Sequence, residues 1–176
     1  HALNERLTDR TETVLGGKTY LAGTIENQAV VLVESGIGKV EAGITAEHLI
    51  TDFKVDVVIN SGSAGGIGEG LHVGDVVIAT ETAYHDVDVT AFGYEYGQLP
   101  AQPARFSADP TWVERISEAG KETGLNIKQG LIVTGDQFVS SKAMIQQIKA
   151  RFNDALSSEM EGAAVGQVAT DHPVPY

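Results

Sequence analysis

The segment from Val55 to Gly66, VDVVINSGSAGG, constrains the fold more than any other part of the chain. Its first half is a short run of Val and Ile, which is typical of a strand that is covered on both faces of a sheet. Its second half contains only Ser, Ala and Gly, so its backbone amides can approach a flat ligand closely. Because ligands bind outside the carboxyl ends of strands in open α/β sheets, we predict a buried central strand leading into a ligand crevice. The alternative is an ordinary Gly-rich turn.

Strand and helix patterns alternate along the rest of the chain. Strands are predicted around Thr19–Ile25, Ala29–Glu34, Asp75–Thr80, Asn126–Asp136 and Ala155–Ser158, and helices over about Lys39–Phe53, Pro110–Gly124, Lys142–Phe152 and Glu159–Asp171. A helical pattern also opens the chain, with Leu3 and Leu7 four residues apart, and Val174–Tyr176 resembles the start of a strand. This alternation predicts one α/β domain over residues 1–176 with a mixed, largely parallel sheet.

Two helices carry further signals. Asp109 is a good N-cap residue, and Pro110 after it suits the first turn of a helix. In the helix that begins near Lys39, the residues on related faces are Val40, Ile44, His48 and Leu49. This set predicts a mainly apolar face on the helix.

The composition narrows the function classes. The chain has 24 acidic and 12 basic residues, and its net charge of −12 argues against nucleic acid and anionic membranes as partners. It contains no Cys, which excludes disulfides, a thiol nucleophile and a Cys-ligated metal. No apolar run reaches the roughly 18 residues of a membrane span, and no signal-like segment opens the sequence. These features predict a soluble, cytoplasmic protein without a cofactor.

The segment TAFGYEYGQLPAQPARF, which begins at Thr90, is a long loop rich in aromatic residues. A loop of this length inside a compact domain is usually functional or disordered, and its aromatic content argues against disorder. Just before it, His85, Asp86 and Asp88 suggest a metal site. Three candidate ligands are too few for a tight site, so solvated or capping carboxylates are the favoured interpretation.

The segment SSEMEGAA places Glu159 and Glu161 on either side of Met160 at a predicted strand end. Residues two apart in an extended segment point the same way, so both carboxylates are candidates for one pocket. A carboxylate accepts hydrogen bonds from vicinal sugar hydroxyls, and a thioether packs against an apolar ring face. The alternative is a pair of acids that complements the helix dipole.

Five segments occur in the same order and with similar spacing as in one enzyme family. They are SGIGKV, VINSGSAGG, YHDVDVTAFGYEYGQLP, GLIVTGDQFV and SSEMEGAAV. Over nearly its whole length the chain resembles the bacterial 5′-methylthioadenosine/S-adenosylhomocysteine nucleosidases. This resemblance implies a three-layer fold of the nucleoside phosphorylase type and hydrolysis of an N-glycosidic bond to adenine and a 5-thioribose.

The resemblance also implies roles for individual residues. Ser63, Ala64 and Gly65 line the base and ribose side of the pocket, Phe138 stacks on adenine, and the backbone of Val139 binds the base edge. Glu159 and Met160 lie at the ribose, and Glu161 binds its hydroxyls and helps to place the attacking water. Ile37 and Val89 line the 5′-alkylthio pocket. Phe92, Tyr94 and Pro100 reach the pocket of a second copy, which implies a homodimer.

The ends of the chain depart from the family pattern. The resemblance places the family's general acid, an Asp, on a strand after Tyr176 and its water-activating Glu before His1. We therefore expect the first and last strands of the family to be missing here. The sequence is then part of a longer enzyme, which we favour, or an inactive fragment that still binds adenosine.

Two other functions stay open. A nucleoside phosphorylase on the same fold needs cationic groups for phosphate, and Asn60 stands where such enzymes typically place an Arg. A non-enzymatic adenosine-binding protein is the other alternative. The sequence does not distinguish between the possible 5′-thioadenosine substrates.

Overall fold

The computed structural model describes residues 2–176 and has eight strands and five α-helices in that range. The strands are β1 (Thr8–Leu15), β2 (Lys18–Ile25), β3 (Gln28–Leu32), β4 (Gly65–Gly66), β5 (Val76–Tyr84), β6 (Phe106–Ser107), β7 (Ile127–Thr134) and β8 (Ala155–Glu159). The helices are α1 (Ala2–Arg6), α2 (Lys39–Thr51), α3 (Pro110–Glu122), α4 (Lys142–Arg151) and α5 (Gly162–Asp171). Within residues 2–176 no helix is both long and apolar enough to cross a membrane.

The strands form two sheets. The smaller sheet is antiparallel, with the order β1-β2-β3. The larger sheet has the order β4-β8-β7-β5-β6, in which β5, β7 and β8 are parallel and the two edge strands are antiparallel. Helices flank this mixed sheet, so the predicted α/β fold is confirmed.

The sheet register brings three strand ends together. Tyr84 at the end of β5 pairs with Thr134 at the end of β7, and Thr134 pairs with Glu159 at the end of β8. Because these strands are parallel, the loops that follow them leave from the same edge of the sheet. That edge positions the candidate site.

Small side chains allow α2 and α5 to approach each other closely. Ala42 and Ala46 of α2 are buried in one cluster with Ala164 and Val165 of α5. The predicted apolar face of α2 is wrong for Val40 and Ile44, which are exposed, whereas Leu49 packs against the core. The small residues face the core instead, since the close helix contact leaves no room for larger side chains.

Several local predictions are confirmed. The β2–β3 hairpin turns at Glu26 and Asn27, whose φ angles of 48° and 67° are those of a tight primed turn. Asp109 caps α3, since its Oδ1 accepts hydrogen bonds from the backbone N–H groups of Thr111 (2.9 Å) and Trp112 (3.1 Å). β5 runs four residues beyond the predicted end at Thr80, because residues 81–84 continue the pairing with β7.

The helix predicted at the start of the chain is wrong beyond Arg6. Residues 8–15 form β1, which pairs antiparallel with β2 from Thr8 to Leu15. The β-branched residues Thr8, Thr11, Thr13 and Val14 favour this strand, and its pairing outweighs the spacing of Leu3 and Leu7. His1 lies outside the described residues.

The predicted buried central strand before the Gly loop is also wrong in this structure. Residues 57–64 make one backbone hydrogen bond among the described residues, from the Val58 N–H to the Pro175 carbonyl at 2.9 Å. Ile59 is 57% exposed. A strand needs a ladder of such bonds, and one bond does not make one. The strand predicted from Val174 is also not formed. The Pro175 and Tyr176 carbonyls each accept one bond, from the Val58 and Asp109 N–H groups, both at 2.9 Å.

Candidate functional site

The candidate site lies where β5, β7 and β8 end. Residues from four loops meet there: the loop before α2, the loops after β5 and β7, and the turn between β8 and α5. The Gly loop joins them from the side, because Gly65 pairs with Ser158 just before the end of β8. The Gly loop therefore lies at the carboxyl edge of the sheet, where a ligand site was predicted, and the site itself stays a prediction.

Glu159 is built into the start of α5. Its carboxylate accepts hydrogen bonds from the Thr134 hydroxyl and from the backbone N–H groups of Glu161 (2.9 Å) and Gly162 (2.6 Å). The Thr134 hydroxyl oxygen in turn accepts a bond from the Ala163 N–H at 2.8 Å. Burial raises the pKa of the Glu159 carboxyl, and these hydrogen bonds oppose that rise. The side chain thus takes the helix-start position that the sequence left open as an alternative.

Glu161 points elsewhere. Its Oε1 accepts a hydrogen bond from the Gly38 N–H at 2.8 Å, and its Oε2 accepts one from the Met160 N–H at 3.2 Å. A carboxylate has about four acceptor positions, so this group keeps free positions for a ligand. The turn at the end of β8 therefore separates the two carboxylates that an extended segment would have placed side by side.

A cluster of one Lys and two Asp residues ties the loops together. Lys39 Nζ lies 2.9 Å from both carboxylate oxygens of Asp86 and 3.7 Å from Asp136 Oδ2. The Lys39 N–H donates to Asp136 Oδ1 at 2.8 Å, and the Asp136 N–H donates to Asp86 Oδ2 at 2.9 Å. This Lys39–Asp86–Asp136 cluster connects the start of α2 with the loops that follow β5 and β7.

The predicted base-binding residues lie in the loop after β7. Phe138 is 80% exposed, so its ring is free to meet a ligand. Val139 packs partly against the core cluster that contains Phe152 and Ile148. One residue of the pair is therefore anchored in the core while the other faces outward.

The other predicted pocket residues have different degrees of exposure. Ser63, Ala64, Gly65 and Pro100 are exposed, as are Ile37 and Phe92, whereas Val89, Tyr94 and Met160 are half-buried. Ile37 lies next to Gly38, and Met160 lies next to Glu161, so both lie close to the Glu161 carboxylate. We call this edge of the site, formed by the loops that meet where β5, β7 and β8 end, the rim. Phe92 ends a short 3₁₀ helix, Thr90–Phe92, and is 82% exposed.

The aromatic loop is held in place by Tyr96. Its hydroxyl donates to the His85 carbonyl at 3.1 Å, and its ring lies beneath the guanidinium of Arg151, 3.7 Å from the ring centroid. The Gly97 N–H donates to the Val87 carbonyl at 2.9 Å. These contacts agree with the prediction that the loop is ordered.

The segment from His85 to Asp88 does not gather into a metal site in this structure. Asp86 binds Lys39, and Asp88 accepts hydrogen bonds from the Thr90 N–H (3.1 Å) and hydroxyl (2.6 Å). Within residues 2–176 no three His, Asp or Glu side chains come close enough to hold a metal ion.

The sequence interpretation missed the groups that organise the rim. Thr134, Lys39 and Asp136 were not singled out, and Asp86 was considered only as a metal ligand. Lys39 and Asp136 lie in two of the segments that carry the family resemblance, SGIGKV and GLIVTGDQFV, and this is the signal that could have identified them.

Comparison with known proteins gives consistent results. The profile of the phosphorylase superfamily matches residues 2–176. A 5′-methylthioadenosine/S-adenosylhomocysteine nucleosidase from Actinobacillus succinogenes is 48% identical over 170 residues, which cover 97% of this chain and 74% of that protein.

Solved structures agree with this result. The Neisseria meningitidis nucleosidase of the same name, in complex with methylthio-immucillin-A, superposes with a TM-score of 0.97 at 44% identity, covering 99% of this chain and 76% of that one. The Streptococcus pneumoniae MTA/SAH nucleosidase with 8-aminoadenine gives a TM-score of 0.93 at 50% identity, with coverages of 99% and 76%. This chain therefore spans about three quarters of the length of these relatives, and it belongs to the 5′-methylthioadenosine/S-adenosylhomocysteine nucleosidase family of the phosphorylase superfamily.

Proposed function

We propose that this protein hydrolyses the N-glycosidic bond of 5′-methylthioadenosine and S-adenosylhomocysteine, releasing adenine and the 5-thioribose. The observation that carries this proposal is the placement of Glu161. Its carboxylate lies at the carboxyl edge of the sheet with free acceptor positions, beside Met160 and opposite the Gly38 amide. The family membership of the chain supports the same activity.

The ribose and the base are bound by different loops in this proposal. The Glu161 carboxylate accepts hydrogen bonds from the ribose hydroxyls, and Met160 packs beneath the sugar. The exposed Phe138 ring stacks on adenine, and the backbone of Val139 binds the base edge. Ser63, Ala64 and Gly65 line the opposite wall, and Ile37 and Val89 take the 5′-alkylthio group.

Glu161 also suits the charge that develops during the reaction. Cleavage of a glycosidic bond passes through a transition state that resembles an oxocarbenium ion, in which the sugar becomes positive. A fixed carboxylate close to the sugar stabilises that charge more than it stabilises the neutral substrate. The same carboxylate helps to place the water that attacks the sugar carbon.

The active unit in this proposal is a homodimer of single α/β domains in the cytoplasm. Phe92, Tyr94 and Pro100 of one copy complete the pocket of the other. The 82% exposure of Phe92 supports this arrangement, since a large aromatic side chain at a loop tip is a typical interface residue.

A phosphorylase needs a cation that is free to bind phosphate. Lys39 lies at the rim, but both carboxylate oxygens of Asp86 already bind its ammonium group at 2.9 Å. Asn60 in the Gly loop carries no charge. These residues therefore favour water over phosphate as the attacking group.

The test is the initial rate of adenine release from 5′-methylthioadenosine, with and without inorganic phosphate. We expect equal rates in both buffers. A rate that requires phosphate would identify a phosphorylase. Binding of adenine without any release would identify a non-enzymatic adenosine-binding protein.

A further inference from the structure

We propose that Asp86 is a positioning residue that holds the base-binding loop and the Gly38 amide in place, an inference that rests on the proposed nucleosidase function. Asp86 lies two residues after the end of β5, at the rim of the candidate site. Its carboxylate is 11% exposed, and it binds two other loops at once.

The first link runs from Asp86 to the base-binding loop. Asp86 Oδ2 accepts the Asp136 N–H at 2.9 Å, and Asp136 precedes Phe138 by two residues. A fixed N–H at Asp136 sets the direction in which the chain leaves β7. Asp86 therefore determines where the Phe138 ring and the Val139 backbone lie relative to the sugar side of the pocket.

The second link runs from Asp86 to the ribose side. Asp86 binds the ammonium group of Lys39, and the Lys39 N–H donates to Asp136 Oδ1 at 2.8 Å. Lys39 follows Gly38, whose N–H donates to Glu161 Oε1 at 2.8 Å. Asp86, Lys39 and Asp136 thus form a closed ring of hydrogen bonds, and the adjoining Gly38 amide links this ring to the Glu161 carboxylate.

His85 and Gly135 are in close contact next to this ring of hydrogen bonds. A Cβ atom on Gly135 would lie 2.5 Å from Cε1 and Nε2 of the His85 ring and 3.1 Å from Asp86 Cγ, so the two loops touch where only glycine fits. His85 is 5% exposed, and burial lowers the pKa of its imidazole. A neutral ring adds no second positive charge to compete with Lys39 for Asp86.

The chain offers a matched control for Asp86. Asp154 is another carboxylate in a two-oxygen ion pair, with Arg105 Nη1 at 2.7 Å and Nη2 at 3.2 Å. It precedes β8 and therefore lies at the amino end of the parallel strands, opposite the candidate site. Asp154→Asn and Asp86→Asn remove the same charge and the same kind of pair.

The experiment measures adenine affinity by calorimetry in four variants, Asp86→Asn, Lys39→Gln, the double variant and Asp154→Asn, well below the melting temperature of each. We expect Asp86→Asn to raise the Kd for adenine by about 10- to 100-fold, because a displaced loop misplaces its ligand contacts. Asp154→Asn should change it by less than about twofold. The double variant should lose less than the product of the two single losses, since both remove one interaction.

Equal adenine affinity in Asp86→Asn and Asp154→Asn would overturn the positioning role, and so would a fully multiplicative double variant. If Asp86→Asn does not fold, an unchanged Kd in Lys39→Gln overturns the proposal by itself. The wild-type protein shows whether only the positioning role has failed or the proposed nucleosidase function as well. If the wild type releases adenine from 5′-methylthioadenosine, the proposed function stands. A wild type that neither binds nor releases adenine overturns both proposals.

Discussion

The two sides of the β8–α5 turn differ in how their acidic groups are used. On the side of the sheet, the Glu159 carboxylate accepts three hydrogen bonds, from the Thr134 hydroxyl and from two amides at the start of α5. On the side of the rim, Glu161 accepts two and keeps acceptor positions open. Glu159 is thus held within the start of α5, whereas the proposed ligand contacts fall to Glu161, although the two are only two residues apart.

The same contrast extends beyond the two glutamates. The polar groups beneath the rim, Thr134 and Glu159, are buried or half-buried and are hydrogen-bonded to each other. The apolar groups on the rim, including Phe138 and Ile37, are 80% and 77% exposed. Substitutions below the rim should therefore lower stability, and substitutions on it should lower affinity or turnover.

The largest effect is expected for Glu161→Gln. Loss of the negative charge removes the stabilisation of the positive sugar and the placement of the water, so kcat should fall by about 10²- to 10⁴-fold. The free energy of unfolding should change far less, because Gln retains an acceptor for the Gly38 N–H. Turnover is measured as adenine release, and stability by urea unfolding. Normal turnover would remove Glu161 from the catalytic role.

Phe138→Ala should weaken adenine binding by about 1–3 kcal/mol, the range for stacking of a base on an aromatic side chain. The exposed ring contributes little to the core, so the melting temperature should hardly move. Calorimetric titration with adenine measures the affinity. An unchanged Kd would place Phe138 outside the pocket.

Glu159→Ala should lower stability rather than adenine affinity. It removes the acceptor for the Thr134 hydroxyl and for two backbone amides, which we expect to lower the free energy of unfolding by about 1–3 kcal/mol. Urea unfolding checks this value. If stability is unchanged while adenine affinity falls strongly, the assignment of Glu159 to the framework is wrong.

Asp109→Ala provides a remote comparison. Asp109 caps α3 away from the rim, so its loss should cost about 1 kcal/mol of stability and leave adenine release unchanged. Thermal unfolding and the release assay test both parts. A loss of turnover at constant stability would contradict the view that Asp109 supports only the fold and has no part in the candidate site.

The smallest effect concerns pH. Burial raises the pKa of Glu159 above its ordinary value of 4.5, so the folded protein binds this proton more tightly than the unfolded chain does. The free energy of unfolding therefore contains a contribution that is lost as pH rises from about 4.5 through the raised pKa. Glu159→Gln removes that contribution. Its stability relative to the wild type should increase across this pH window, and a difference that does not change with pH would contradict the shift.

The sequence predicted the edge of the sheet better than it predicted the strand leading to the Gly loop. β7 carries the apolar run Leu131–Val133 after the polar Lys128 and Gln129, and it pairs in parallel with β8 as predicted, so the loops after both strands leave from one edge of the sheet. The run from Val55 is also rich in Val and Ile, but within residues 2–176 its one backbone bond to another extended segment is that from Val58 to Pro175. Pairing depends on neighbours distant in sequence, and composition alone does not supply them.

The roles of the two glutamates show the same limit at the level of a single turn. Their spacing predicted a shared face, and only the backbone turn at Met160 reveals that Glu159 folds back onto α5. The family resemblance pointed to Glu161, yet the cluster around Asp86 depends on contacts between residues as far as 97 positions apart in the chain, such as Lys39 and Asp136. Such long-range polar contacts leave no periodic pattern in a sequence.

The identity of the sugar product tests the proposed hydrolysis most directly. The protein is incubated with 5′-methylthioadenosine in phosphate buffer, and the products are separated and identified by mass spectrometry. A water-dependent nucleosidase yields adenine and free 5-methylthioribose even when phosphate is abundant. Formation of 5-methylthioribose 1-phosphate, or no release of adenine at all, would contradict the account.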